Sequence, residues 1–326
     1  MKKYKLYNRD LQKDYYARYD YIKIHKLNVN LQATKIVIES DSDVDLENKI
    51  VDFVNKMKEI AQEKDLKFLI NNLTTITVNS TKLNIYRLKK IYGFYDIETN
   101  VINVLNDNYT KTINHELLHM SSSYYDKENG ITYSGFVQSH GKRNIGLGIT
   151  EGYTEYLVKK HFDAEGSVSN AYAYESKIAS IIEKTIGEDK MLSLYLNANL
   201  YGLLEELAKY TSMHDAYMFI MNLDFITKNM SGKKILPSSK AYMMKVYREI
   251  NIFLLKLSAN KFYSIKGEKK QDEYLSGVLK AFPDKMRVNS QIFNITTDEE
   301  ALKIYKEAYE KHKAIIRVKK KKRKNR

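Results

Sequence analysis

The chain contains no cysteine in 326 residues. That excludes disulfides and thiolate ligands, so any metal must be held by nitrogen and oxygen donors. It also favours an intracellular, cytoplasmic address. Proline is almost absent. Pro237 and Pro283 alone, with a hydrophobic fraction of 43%, point to a folded, helix-rich chain rather than a disordered one. Long apolar runs are missing as well. The densest, AYMFIM and IFLL, are core-sized and far below the roughly 18 residues of a membrane span. No secretory leader is expected. The basic opening MKKYKLYNRDLQKDYY places Asn8, Arg9, Asp10, Lys13 and Asp14 where an apolar stretch would have to lie.

What is present begins with length and charge. A chain of this size can bury a sizeable core as two domains or one elaborated domain. Its net charge of +14 is unevenly placed. The last ten residues, RVKKKKRKNR (317–326), hold eight Lys or Arg, which leaves +6 for the remainder. Such a tail attracts an anionic partner, nucleic acid or a membrane surface, at modest salt; the plainer expectation is a solvated terminus.

The first part reads as a small α/β unit. TKIVIE (34–39) is strand-like, and DLENKIVDFVNKMKEIA (45–61) places Leu46, Ile50, Phe53, Val54 and Met57 on one helical face. LTTITVNS (73–80) is β-rich, and IYGFYDIETNVINVLND (91–107) predicts two short strands around the turn ETN. The second of these, NVINVL, is a candidate edge for pairing with an extended substrate. SGFVQSHGKRNIGLG (134–148) has the glycine density of a loop or hairpin, and a helix is expected from near Thr150. From about 165 the pattern is helical. Tyr174, Ile178, Ile181 and Ile182 form one core stripe. Leu192, Tyr195, Leu196, Leu203 and Leu207 form another, and Tyr242, Val246, Ile250, Phe253 and Leu257 a third. A last helix is expected from Thr297, with Glu300 at capping-box spacing.

Chemistry concentrates in TINHELLHM (112–120). Residues four apart lie on one helical face, so His115 and His119 can present two imidazole nitrogens to one ion. Glu116, about 100° further round the helix, stands beside the ion as a general base for a metal-activated water would. With seven histidines and 40 acids in the chain, this spacing arises by chance on the order of 0.02 times, so it calls for an explanation. Thirty-two residues after His119, TEGYTEYL again places two acids, Glu151 and Glu155, at i and i+4. One can ligate the metal while the other accepts the free N–H of a ligand histidine. His140, in the glycine-flanked SHGK, is an alternative third ligand, or a fourth that closes a structural site. Glu151 is preferred because a helix holds its ligand more rigidly. Ser122 and Tyr125 stand where a metzincin would carry Gly and His, which excludes that class. Gly152, inside an expected helix, implies either close helix–helix approach or a later helix start.

Together, HELLHM and EGYTEYL resemble the gluzincin metallopeptidases, the thermolysin-like class with His-Glu-x-x-His on one helix and a ligand glutamate on a later one. HELLHM…SGF…GLGITEGYTEYL is similar to uncharacterised bacterial members of that class. The resemblance implies that His115, His119 and Glu151 ligate Zn2+, that Glu116 is the catalytic base, and that Glu155 supports a ligand histidine. It implies an α+β fold, a small mixed sheet packed on the active-site helix followed by a largely α-helical C-terminal region. The expected organisation is an N-terminal α/β region (1–90), a zincin-like catalytic core (91–163), a helical region (164–316) and the basic tail (317–326).

The implied activity is hydrolysis of peptide bonds in a peptide or protein substrate. The family's oxyanion donor is a His or Tyr; candidates are His140, Tyr153, His161, Tyr172, Tyr174 and Tyr201. The alternative is a peptidase-derived binding protein with a structural or lost zinc site, its tail contacting nucleic acid or an anionic membrane. Zinc-dependent hydrolysis of a non-peptide substrate is a third possibility. If the tail stands outside the enzyme proper, deleting residues 317–326 leaves peptidase turnover intact; a collapse of turnover in that deletion would reject this division.

Overall fold

The computed structural model describes residues 5–6, 15–16, 22–26, 28–32, 35–39, 44–81, 93–105, 109–141, 143–162, 172–230, 237–281, 285–288 and 291–294. Over these residues the protein is a mixed α+β structure with small sheets and many helices. The chain divides into two compact units. One comprises Met1–Ile145, Thr154–Ala171 and Leu192–Leu200; the other comprises Gly146–Tyr153, Tyr172–Met191 and Tyr201–Arg326.

In the first unit, β1 (Lys5–Leu6) pairs with β2 (Tyr15–Tyr16). β3 (Ile22–Lys26) follows, and β4 (Asn28–Gln32) forms a hairpin with β5 (Lys35–Glu39), as expected of TKIVIE. Helix α1 (Val44–Ile60) buries Ile50, Phe53, Val54 and Met57, four of the five residues on the expected stripe. After α2 (Lys67–Leu73) come β6 (Thr77–Thr81), β7 (Gly93–Asp96) and β8 (Val101–Leu105). The turn between β7 and β8 closes with Asn100 at φ 54°, a left-handed position that asparagine tolerates better than most residues. Its side chain is held there, accepting a hydrogen bond from Tyr95 Oη and donating to the Asn72 carbonyl and Thr75 Oγ1.

The sheet order is β3-β6-β8-β7. β8 runs parallel to β6 and antiparallel to β7, so both its sides are paired. NVINVL is therefore an interior strand and not the edge the sequence offered. The edge is β7, because the returning hairpin strand lies outside β8. Helix α3 (Tyr109–Ser121) carries the histidines. A second sheet follows it as an antiparallel meander of β9 (Ser123–Asp126), β10 (Ile131–Ser134), β11 (Val137–His140) and β12 (Arg143–Ile145).

Helix α4 (Leu147–Leu157) begins three residues earlier than expected, so Gly152 lies well inside it. In the second unit α5 (Ala173–Ile186) buries Tyr174, Ile178, Ile181 and Ile182 and stops at Gly187, φ 101°. The next stripe is split between α6 (Glu188–Leu196) and α7 (Leu200–Ala208), with all five of its residues buried. α8 (Met213–Met230), α9 (Pro237–Ser264) and α10 (Glu268–Ala281) complete the helices, Pro237 taking the first-turn position that needs no N–H. On α9, Val246, Ile250, Phe253 and Leu257 are buried, but Tyr242 is 54% exposed. It meets Phe225 in a T-shaped ring contact, centroids 5.1 Å apart. β13 (Lys285–Val288) and β14 (Gln291–Asn294) form a last hairpin. The helix expected from Thr297 and the basic tail lie outside the described residues.

One side chain ties α2 to the end of the histidine helix. Asn72 Nδ2 donates to both the Met120 and Ser123 carbonyls at 2.8 Å. Removing it leaves the Met120 carbonyl at the helix end and the Ser123 carbonyl at the start of β9 without that donor, so Asn72→Ala is expected to cost about 1–3 kcal/mol in urea denaturation. An unchanged midpoint would contradict that role.

Candidate metal centre

Helix α3 forms because Ile113, Leu117 and Met120 recur at helical spacing and are fully buried. The chain then leaves the helix through a serine run. Ser121 Oγ donates to the Leu118 carbonyl at 2.8 Å, Ser122 Oγ to the same carbonyl at 3.0 Å, and Ser123 Oγ to that of His119. These hydroxyls add donors to carbonyls of the last helical turn, of which that of His119 also accepts the Ser122 N–H at 3.2 Å. The anchored face leaves His115 and His119 half-buried on another side.

The two imidazoles converge: His115 Nε2 and His119 Nε2 are 3.1 Å apart. Their other nitrogens face oxygen. His115 Nδ1 lies 3.6 Å from Glu155 Oε2, and His119 Nδ1 lies 3.5 Å from Ser134 Oγ on β10. A carboxylate on the Nδ1 side favours the proton there, the tautomer that leaves the Nε2 lone pair of His115 for coordination. The Ser134 hydroxyl can accept from His119 Nδ1–H in the same way.

Glu151, on α4, completes the set. One ligand atom from each of His115, His119 and Glu151 lies within 4.8 Å of the other two. Two nitrogens bound at about 2.0–2.1 Å in a tetrahedron stand about 3.3 Å apart, so the observed 3.1 Å matches one tetrahedral edge. These three residues can hold a metal ion. His140 is exposed at the end of β11 and is not part of the cluster.

Glu116 is only 4% exposed. Gly93 of edge strand β7 allows the strand to run close to it: a Cβ there would lie 2.7 Å from Thr112 Cγ2 and 3.0 Å from Glu116 Oε1. Glu155 is 3% exposed, with Lys159 Nζ 3.2 Å from its Oε1. Among the oxyanion candidates, the Tyr153 hydroxyl donates to Glu183 Oε2 at 2.9 Å in the core. Tyr174 is buried edge-on against Tyr247.

Helix α4 is seated by residues the sequence reading did not identify. Asp224 of α8 accepts the N–H groups of Gly146 and Gly148, each at 2.8 Å. A Cβ on Gly148 would lie 2.7 Å from Leu223 Cγ, and one on Gly152 only 2.5 Å from the carbonyl carbon and oxygen of Glu175. Close helix–helix approach, rather than a late start, thus accounts for Gly152. Nothing in the local sequence flags Asp224 or Glu175, which lie 78 and 23 positions from the glycines they meet. At the other end α4 passes into a wider π-type turn, Val158–Phe162, where Phe162 stacks on Phe53 at 5.0 Å.

No protein-family model, curated protein or solved structure matches this chain.

Burial pushes the Glu175 carboxyl up to about 7, and the negative charge of Glu151 adds to this, against the hydrogen bond donated by Thr227. The native state therefore keeps a proton that the unfolded chain releases. The contribution of this group to stability is present below the ordinary carboxylate range and is lost as pH rises to about 7. In metal-free protein, Glu175→Gln is expected to raise the unfolding free energy from urea titration more at pH 8 than at pH 5, by at most about 3 kcal/mol. Equal effects at the two pH values would refute the buried charge.

Proposed function

We propose that the protein is a zinc-dependent metallopeptidase in which His115, His119 and Glu151 are the metal ligands and Glu116 is the general base. The observation that carries this reading is the convergence of two Nε2 atoms at 3.1 Å with the Glu151 carboxylate, beside a buried glutamate on the same helix. Two imidazoles and one carboxylate, in a chain without cysteine, form a donor set suited to zinc. Three protein ligands are what a catalytic zinc requires, whereas a structural site takes four. When bound, zinc supplies a Lewis acid that makes its water acidic near neutral pH.

The chain's own groups supply the rest. Glu116 takes the water's proton on its carboxylate and passes it to the leaving amine nitrogen. Glu155 and Ser134 keep the imidazole protons on Nδ1 and so fix both ring orientations. β7 pairs on one side only among the described residues, and Gly93 brings it against Glu116. An extended peptide paired with the β7 backbone would lie beside the base. On this reading the small sheet forms the wall of the active-site helix, the catalytic core spans residues 91–163, and the substrate is a peptide or protein in the cytoplasm.

Purified protein is then expected to hold one zinc, and Glu116→Gln to keep it while lowering peptide turnover by about 10²–10⁴-fold. His115→Ala should lose the metal itself. Metal loss in Glu116→Gln, or unchanged turnover on a peptide library, would reject the assigned roles.

A further inference from the structure

Asp224 is a buried carboxylate with no part in the chemistry above. It is 2% exposed, and it spends its two oxygens on the backbone of a helix far away in sequence: Oδ2 accepts from Gly146 N–H and Oδ1 from Gly148 N–H. These are N–H groups of the first turn of α4, which the helix itself cannot satisfy. A negative charge at that end also lies favourably along the helix dipole. Burying a carboxylate is costly, and burial pushes this one up to about 6 despite those bonds and the nearby Lys228. A neutral Ser or Asn could cap the turn at lower cost, so the cap alone does not account for a buried acid.

The position of α4 explains it. Glu151 stands about one turn beyond Gly148, and the residue directly after it, Gly152, is fitted against the backbone of Glu175 without room for a methyl group. Asp224 therefore fixes the start of the helix, and Gly152 fixes its height on α5. Between these two points only one residue, Glu151, carries a metal-ligating side chain.

We propose that Asp224 is a positioning residue for the metal centre, holding the first turn of α4 so that Glu151 is presented to the ion in a fixed orientation. This rests on the metal centre proposed above. It adds that metal affinity is set in part from α8, through backbone hydrogen bonds and with no contact to the ion.

The test compares zinc affinity, by chelator competition, with the thermal midpoint of metal-free protein. The variants are Asp224→Ala, Asp224→Asn, Gly152→Ala and, as a control, Thr185→Val. Thr185, near the far end of α5, spends its hydroxyl on Tyr274 Oη at 2.9 Å and on the Ile181 carbonyl. Asp224→Ala and Gly152→Ala are expected to weaken zinc binding roughly tenfold to a hundredfold, the range seen when outer support of a ligand is lost. Asp224→Asn, which keeps one acceptor oxygen, should fall between Asp224→Ala and the unaltered chain. Thr185→Val should lower the thermal midpoint and leave zinc affinity unchanged.

Should Asp224→Ala not fold, Asp224→Asn and Gly152→Ala decide the matter. Unaltered zinc affinity in the folded Asp224 variants overturns the inference while leaving the metal centre standing. Equal losses of affinity in the control overturn it too, by showing that general stability governs binding. If the unaltered chain binds no zinc, the metal centre fails and this inference fails with it.

Discussion

Two imidazole nitrogens 3.1 Å apart on successive turns of one helix are the constraint on which the rest of the site depends. With the opposite ring nitrogens turned toward a glutamate and a serine hydroxyl, both rings aim their coordinating edge at one point. A helix supplies this geometry cheaply, since four residues make little more than a full turn. It also places Glu116 beside that point and not within it, where the proposed base has to stand apart from the proposed ligands. Everything else about the site serves to hold a third donor near the pair.

That third donor arrives on a helix packed unusually closely. Gly152 meets the Glu175 backbone at a distance that excludes any side chain, and Gly93 lets strand β7 run close to Glu116. Close backbone approach fixes position more tightly than side-chain packing, because rotamers cannot absorb the slack. The neighbourhood bears an electrostatic cost as well. Glu155, Glu175 and Asp224 are all buried acids near the two ligand-bearing helices. Each is partnered by a lysine, a threonine hydroxyl or backbone N–H groups. Such an accumulation of buried acids suits a cation nearby and is otherwise a liability for stability.

Much of this was legible in the sequence, and the reason is periodicity. His115/His119 and Glu151/Glu155 are spaced by one helical turn, so their shared face could be read directly. The core faces of α1, α5 and the α6–α7 pair followed from the same rule, as did the β7–β8 hairpin from its turn residues. Tyr242 broke the rule because a stripe can outrun the core that covers it. β9 and β10 passed unremarked, although DKENG between them is a sound hairpin turn. Sheet order could not be read either. Whether β8 is interior depends on β6, some 24 positions earlier, and strand pairing at that distance leaves no local signal. Asp224 and Glu175 escaped for the same reason. Gly152 was visible as an anomaly, yet only the structure showed which neighbour required it.

The central claim is a coordination sphere, and the zinc K-edge absorption spectrum of the metal-loaded protein reads that sphere most directly. The account predicts four light-atom donors at about 2.0–2.1 Å, with the multiple scattering of two imidazoles and no more. A spectrum showing three imidazoles, a single one, or the six-oxygen shell of loosely held hydrated zinc would contradict it.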